Sequence, residues 1–187
     1  MDYISKKLSK CVAILSKARK CFHKSSLINL YYTLAYPYFI YCNIIWGNTY
    51  SLTIKRLLLV QKRLIRIITS SSYKANTGPL FYANKMLNVH DINYHITAVF
   101  MYNCLHGSLP DLFDNFFITN RVIHGRELRN AEDLHIPHAR IDIRRFSIRL
   151  HGPQAWNSLP HTLRNCASIN ILKSCTRNLI MDRKLEL

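Results

Sequence analysis

Residues 51–70 read SLTIKRLLLVQKRLIRIITS. At 3.6 residues per turn this segment separates into an apolar half and an arc of cations, which predicts an amphipathic helix. The apolar half contains Ile54, Leu57, Leu58, Val60, Leu64, Ile65, Ile67 and Ile68. The cations cover about a third of the circumference, and we call this arc the basic face. It consists of Lys55, Arg56, Lys62, Arg63 and Arg66.

The basic face has no acidic partner in its own helix. Lys62 and Arg66 are a like-charged pair four residues apart, which repel by a few tenths of a kcal/mol. Between Tyr3 and His90 there are 14 Lys and Arg residues and no Asp or Glu. A face of this kind is often simply solvated, but a one-sign half of a chain with net charge +16 usually indicates nucleic acid or an anionic membrane surface as partner. The basic face is therefore our candidate for binding such a partner, and the resemblance described below favours nucleic acid.

The remaining patterns predict a mainly α fold, a helical hairpin or bundle. A first helix is expected over 2–21, and a second over 27–46 that Pro37 kinks or splits. The basic helix would then complete an antiparallel hairpin, and Asp91 would cap a further helix. We place a helical domain at 1–118 and a second region at 119–187.

The second region is predicted to contain a long irregular connection, a short strand and a last helix. Periodicity is lost from about residue 119 to 142, where the sequence is polar. Phe146, Ile148 and Leu150 then alternate with polar residues, a period-two pattern typical of a strand. Ser168 is expected to open the C-terminal helix.

Residues 27–46 form an uncharged stretch of 20 residues, the length of a membrane span. Five tyrosines and Pro37 lower its hydropathy, so we predict a buried helix and no membrane partner. The tyrosines are expected to pack in a core rather than to stack on unpaired bases. The six cysteines are scattered, and no signal peptide precedes them, which favours reduced thiols in an intracellular protein of the nucleus or cytoplasm.

No catalytic or metal-binding residues are predicted. Zinc sites usually combine two close-spaced ligand pairs, and Cys21-Phe22-His23 and His135-Ile136-Pro137-His138 do not form such a set. Two-metal phosphoryl transfer needs paired carboxylates, which the basic half lacks. No Gly-rich phosphate loop is present, so neither a cofactor nor a small-molecule substrate is expected.

Several phrases resemble the region that follows the polymerase palm in reverse transcriptases of non-LTR retrotransposons, the jockey-like mobile elements. They are LYYTLAYPYFIYCNIIWGNTY (30–50), LLLVQKRLIRIIT (57–69), GPLFYANKMLNVHDINY (78–94), HGRELRN (124–130) and GPQAWNSLP (152–160). The resemblance covers essentially the whole chain, with the phrases in the expected order.

The resemblance implies a truncated RNA-directed DNA polymerase that retains the thumb and C-terminal region. The palm, with its paired aspartates, is expected upstream of this chain, so we expect no polymerase activity from the chain alone. By analogy with polymerase thumbs, the basic helix would lie along the template–primer duplex, and the palm domain would be a second partner. The alternative is a non-catalytic interaction protein that binds a protein through its apolar hairpin.

Overall fold

The computed structural model describes residues 2–125 and 129–182, and within them the fold is mainly α, as predicted. The helices of the first half are α1 (Asp2–Ala18), α2 (Lys24–Leu30), a π-helical segment (Tyr31–Ala35), α3 (Tyr36–Ile40), α4 (Asn43–Trp46), α5 (Ser51–Ile68), α6 (Thr77–Ala83) and α7 (Val89–Leu105). Those that follow are a 3-10 turn (Asp111–Phe113), α8 (Asn120–His124), α9 (Asp142–Arg145), α10 (Ile148–Asn157), α11 (His161–Arg164) and α12 (Ile169–Asp182).

The chain divides into two compact units, Met1–Asn93 and Tyr94–Leu187. The division falls within α7, whereas the sequence suggested a boundary at 118/119. Helix α7 therefore contributes its first residues to one unit and the rest to the other. Among the described residues no helix combines the length and hydropathy that crossing a membrane requires.

In the first unit, α5 packs mainly on α1, with further contacts to α2 and α6. Leu8 and Leu15 of α1 are fully buried, as are Leu57 and Leu64 of α5. Each pair is seven residues apart, two helical turns, so the side chains lie on one stripe. Complete burial of such a side chain contributes about 1.5–3 kcal/mol, so these stripes are what joins the two helices.

The predicted helix over 27–46 is interrupted, but not at Pro37. Residues 24–40 are helical without a break, and the π-helical segment directly precedes α3, which contains Pro37. The break occurs at Cys42, which the sequence did not suggest and whose φ of 50° is left-handed. This break separates α3 from α4.

Helix α7 begins with a reciprocal cap. The side-chain oxygen of Asn88 accepts from the backbone N–H groups of His90 (2.9 Å) and Asp91 (3.1 Å). Asp91 Oδ2 in turn accepts from the N–H of Asn88 at 3.0 Å. The prediction that Asp91 is the N-cap is therefore wrong: Asn88 takes that position, and Asp91 closes a capping box from the first turn.

The second unit is built around a cluster of buried side chains from α7, α10, α12 and two connecting segments: Ala98, Met101, Tyr102, Leu134, Trp156, Leu159 and Leu172. The predicted last helix is confirmed as α12, and Ser168 Oγ accepts from the N–H of Ile171 at 3.4 Å. The polar connection is tied to α10 by Asn157, whose side chain accepts from Leu134 N (3.0 Å) and donates to Leu134 O (2.9 Å).

The predicted short strand is wrong. Phe146 terminates α9, and Ile148 and Leu150 belong to the first turn of α10. Ser147 caps this turn: its carbonyl accepts from the N–H groups of Leu150 and His151, both at 3.1 Å. Five alternating residues are too few to distinguish a strand from a turn that leads into a helix. In the described ranges only an isolated antiparallel bridge, Thr119 with Leu134, has strand pairing.

The phrase GPQAWNSLP serves packing. A Cβ at Gly152 would overlap Met101 Sδ, so a larger residue here would force the buried Met101 side chain to shift. Trp156 and Leu159 are buried in the cluster, and Asn157 holds the connection. In HGRELRN, residues 126–128 lie outside the described part of the chain.

Candidate nucleic-acid interface

The buried side of α5 agrees with the predicted apolar half, with one polar addition. Buried are Ile54, Leu57, Gln61, Leu64, Ile65, Ile67 and Ile68, while Leu58 and Val60 are half-buried. Gln61 is fully buried, and its Nε2 donates to the Tyr31 hydroxyl (2.9 Å) and to Leu87 O (3.0 Å). These two bonds connect the centre of α5 to two other segments, so they set the rotation of the helix about its axis.

The five cations of the basic face point away from this core. Lys55, Arg56 and Arg63 are exposed, and Lys62 and Arg66 are half-buried. From Lys55 to Arg66 the helix rises about 16 Å, at 1.5 Å per residue. This length matches two or three consecutive phosphates of one strand.

No carboxylate neutralises the basic face within the described residues. Three salt bridges lie in the second unit: Arg121–Glu132, Arg145–Asp142 and Arg164–Asp133. In the first unit, the carboxylate of Asp91 accepts a hydrogen bond from the backbone N–H of Asn88, the N-cap of α7. An external anion would therefore meet cations that have no ion pair to break among the described residues.

Arg66 differs from the other four cations because it also supports a turn. Its Nε and Nη2 both donate to Ala75 O, at 3.1 and 3.0 Å. Its guanidinium also lies 5.8 Å from the ring centroid of Tyr73. The sequence gives no means of distinguishing Arg66 from the other four cations, because a hydrogen bond to a backbone carbonyl nine residues away leaves no local pattern.

Two exposed leucines lie within the basic face, and sequence reasoning missed them. Leu52 is 66% exposed and Leu59 is 56% exposed. At 100° per residue both side chains fall between the cations rather than on the apolar half. Plotting every apolar residue on the helix would have found them. The surface therefore offers apolar contacts as well as charge.

A second set of cations lies on the outer face of α1. Lys6, Lys10 and Lys17 are exposed there, and Lys20 follows just after the helix. Their shared face is opposite the buried stripe of Leu8 and Leu15. The first unit is thus basic along two of its helices.

The tyrosines of the 27–46 segment mostly support the core. Tyr31 is buried, burial raises the pKa of its hydroxyl, and its ring meets Tyr32 edge to face at 5.2 Å. Tyr36 and Tyr38 are half-buried. Tyr41, in contrast, is 75% exposed, so the prediction of core packing does not hold for it.

The described residues contain no group of three or more His, Cys, Asp or Glu side chains arranged to hold a metal ion. No family model, curated protein or solved structure matches this chain at a significant level.

Proposed function

We propose that this chain binds the sugar–phosphate backbone of duplex or hybrid nucleic acid through the basic face of α5. The observation that carries the proposal is the contrast in Met1–Asn93 between outward-facing cations on α5 and the lack of a described carboxylate beside them. The proposal includes the origin suggested by the resemblance, the thumb and C-terminal region of a non-LTR retrotransposon reverse transcriptase. An intracellular site of action and a palm domain as second partner belong to the same proposal.

Phosphate neutralisation would supply most of the affinity. Each cation that replaces condensed counterions gains from their release, and this gain does not depend on base sequence. Contacts to phosphates position a protein on a duplex without reading its sequence. Binding by this face is therefore sequence-tolerant, as holding a changing template–primer would require.

A second candidate function has its own observation. Near the break between α3 and α4, Tyr41 is 75% exposed and Ile45 is 76% exposed, with Ile40 at 39%. An exposed apolar group of this kind is typical of a protein-binding surface. The alternative is therefore an interaction protein that docks a partner on this group.

A salt titration with matched variants separates the two candidates. Binding of a hybrid duplex should weaken with added salt, with a log–log slope near −0.9 for each phosphate neutralised. Changing Lys55, Arg56 and Arg63 to Glu should abolish retention in a gel-shift, and the fold should survive because all three side chains are exposed. A hydrophobic partner contact would respond little to salt.

The matched control changes Arg19, Lys20 and Lys24 to Glu. These three residues are exposed in the same unit and lie outside α5, so the change in net charge is the same. The control should retain the duplex far better than the α5 variant. Equal losses in both variants would show that net charge alone governs binding and would contradict the assignment to α5.

A further inference from the structure

The turn between α5 and α6, residues 69–76, presents an aromatic ring to solvent beside the basic face. Tyr73 in this turn is 83% exposed. Lys74 follows it and is also exposed. A ring this exposed makes few packing contacts within its own unit, so it is accessible to a ligand.

The turn that carries the ring is held by several hydrogen bonds. Ser71 N donates to Arg66 O at 3.0 Å, and Ala75 N donates to Ser72 O at 3.0 Å. The hydroxyls of Thr69 and Ser71 are 2.8 Å apart. Together with the Arg66 bonds to Ala75 O, these contacts fix the turn at both ends. A ring presented by a fixed turn loses little conformational freedom when a ligand stacks on it.

Arg66 places the ring at the end of the basic face. The Arg66 guanidinium carbon lies over the ring, 5.8 Å from its centroid, so one ring face is turned to the charge and the other is left for a base. A guanidinium has five N–H donors, and two of those of Arg66 are used within the described residues. The others remain to reach a phosphate while the turn stays intact.

From this arrangement we infer that Tyr73 stacks on an unpaired base next to a duplex whose backbone lies on α5. The inference rests on the function proposed above and specifies its ligand: a duplex with a single-stranded extension. Inside a duplex both faces of each base are covered by neighbouring pairs. An unpaired base can swing out of the helix stack to reach a ring beside the duplex, whereas the terminal pair of a blunt end stays in the stack, and stacking on aromatic side chains tolerates any base.

The test compares blunt duplexes with duplexes that carry a short 5′ or 3′ extension. Tyr73→Ala should weaken binding of one extended duplex by roughly 5- to 150-fold, the range that loss of one base–aromatic stack produces. Binding of the blunt duplex should change by less than about twofold, and Tyr73→Phe should bind like the wild type. With 2-aminopurine at the unpaired position, the wild type should quench its fluorescence and Tyr73→Ala should not.

Tyr3 provides the matched control. It is 66% exposed, and Lys7 lies 5.3 Å from its ring centroid, so it reproduces the cation–ring arrangement on α1. Tyr3→Ala should leave the preference for extended duplexes unchanged. Thermal unfolding should be alike for Tyr73→Ala and wild type, because the ring is exposed.

Failure of the inference is distinguishable from failure of the proposed function. If wild-type protein binds duplexes with the expected salt dependence but Tyr73→Ala affects extended and blunt duplexes alike, stacking is refuted and phosphate binding stands. If the wild type binds neither duplex, the proposed function falls and the inference falls with it.

Discussion

The basic face of α5 and the arginines of the second unit carry the same charge in different surroundings. Arg164 in the second unit donates to Asp133 at 2.6 Å and also to Leu159 O at 3.1 Å, and its side chain is 13% exposed. Arg63 of α5 is exposed and has no carboxylate partner among the described residues. Arg164 is committed to its own fold, whereas Arg63 is available to a partner.

This difference shows why net charge is a poor guide to a binding surface by itself. Both units contain many cations, but the acids from Asp111 onward lie in the second unit and neutralise some of them. What sets α5 apart is the absence of acids from 3–90 combined with a helix that turns its cations outward.

The largest expected effect tests whether the stability of the second unit depends on its cluster of buried side chains. Trp156 is 6% exposed, and Trp156→Ala should lower the free energy of unfolding by about 3–5 kcal/mol, since the cavity is only partly filled by relaxation. Urea denaturation followed by circular dichroism measures this loss. Trp46→Ala in the first unit is the control, because Trp46 is half-buried and its ring N–H donates to Tyr41 O. An equal loss in both variants would contradict the central role of Trp156.

A paired substitution sharpens the contrast between the two kinds of arginine. Arg164→Ala should cost about 1.5–3 kcal/mol of stability, because the half-buried carboxylate of Asp133 loses its charged donor. Arg63→Ala should change stability by less than about 0.5 kcal/mol, as exposed substitutions do. Duplex binding should show the opposite pattern. Arg63→Ala should reduce the magnitude of the log–log slope of affinity against salt by about 0.9, and Arg164→Ala should leave this slope unchanged. Similar losses of stability in Arg63→Ala and Arg164→Ala would contradict the distinction between an exposed arginine and one that supports the fold.

The smallest expected effect is a dependence of the stability of the second unit on pH. His95 Nδ1 lies 2.9 Å from Thr176 Oγ1, and this hydroxyl donates to Leu172 O, so His95 is the donor in the pair. Burial, with Arg177 and Lys173 nearby, lowers the pKa of His95 below its ordinary value of 6.5. Burial also lowers the pKa of His151.

Because the pKa is lower in the folded state than in the unfolded state, the unfolded chain binds more protons at pH values between these two pKa values. Stability therefore rises with pH in that window and is lost as pH falls below about 6.5. The urea midpoint should be lower at pH 5.5 than at pH 7.5, and the double change His95→Gln and His151→Gln should reduce the difference. A difference of the same size in that variant would rule out these histidines as the cause.

The long amphipathic helices were predictable because their patterns extend over many turns. The 18 residues of α5 repeat the separation of apolar and charged residues often enough to exclude other periods. The predicted strand at 146–150 failed because a short alternation occurs by chance at a helix start. The cap of α7 was misplaced by three residues because Asn88 and Asp91 are both favourable cap residues.

The candidate site was predictable only as a set of charges. The positions of the five cations follow from helical geometry, and so could those of Leu52 and Leu59. The burial of Gln61 was not predictable, because it depends on Tyr31 and Leu87, 30 and 26 residues away in the chain.

The sequence by itself determined that the first half is basic and has no acids from 3–90. It also determined that this half is helical where apolar residues recur with a period of 3.6 residues. Local periodicity and composition are sufficient for these conclusions. Only the tertiary structure decided that Arg66 supports a turn, that Tyr73 stands exposed beside it, and that Asn157 holds the polar connection. Each of these depends on atoms brought together by folding, and such contacts leave no periodic trace in the chain.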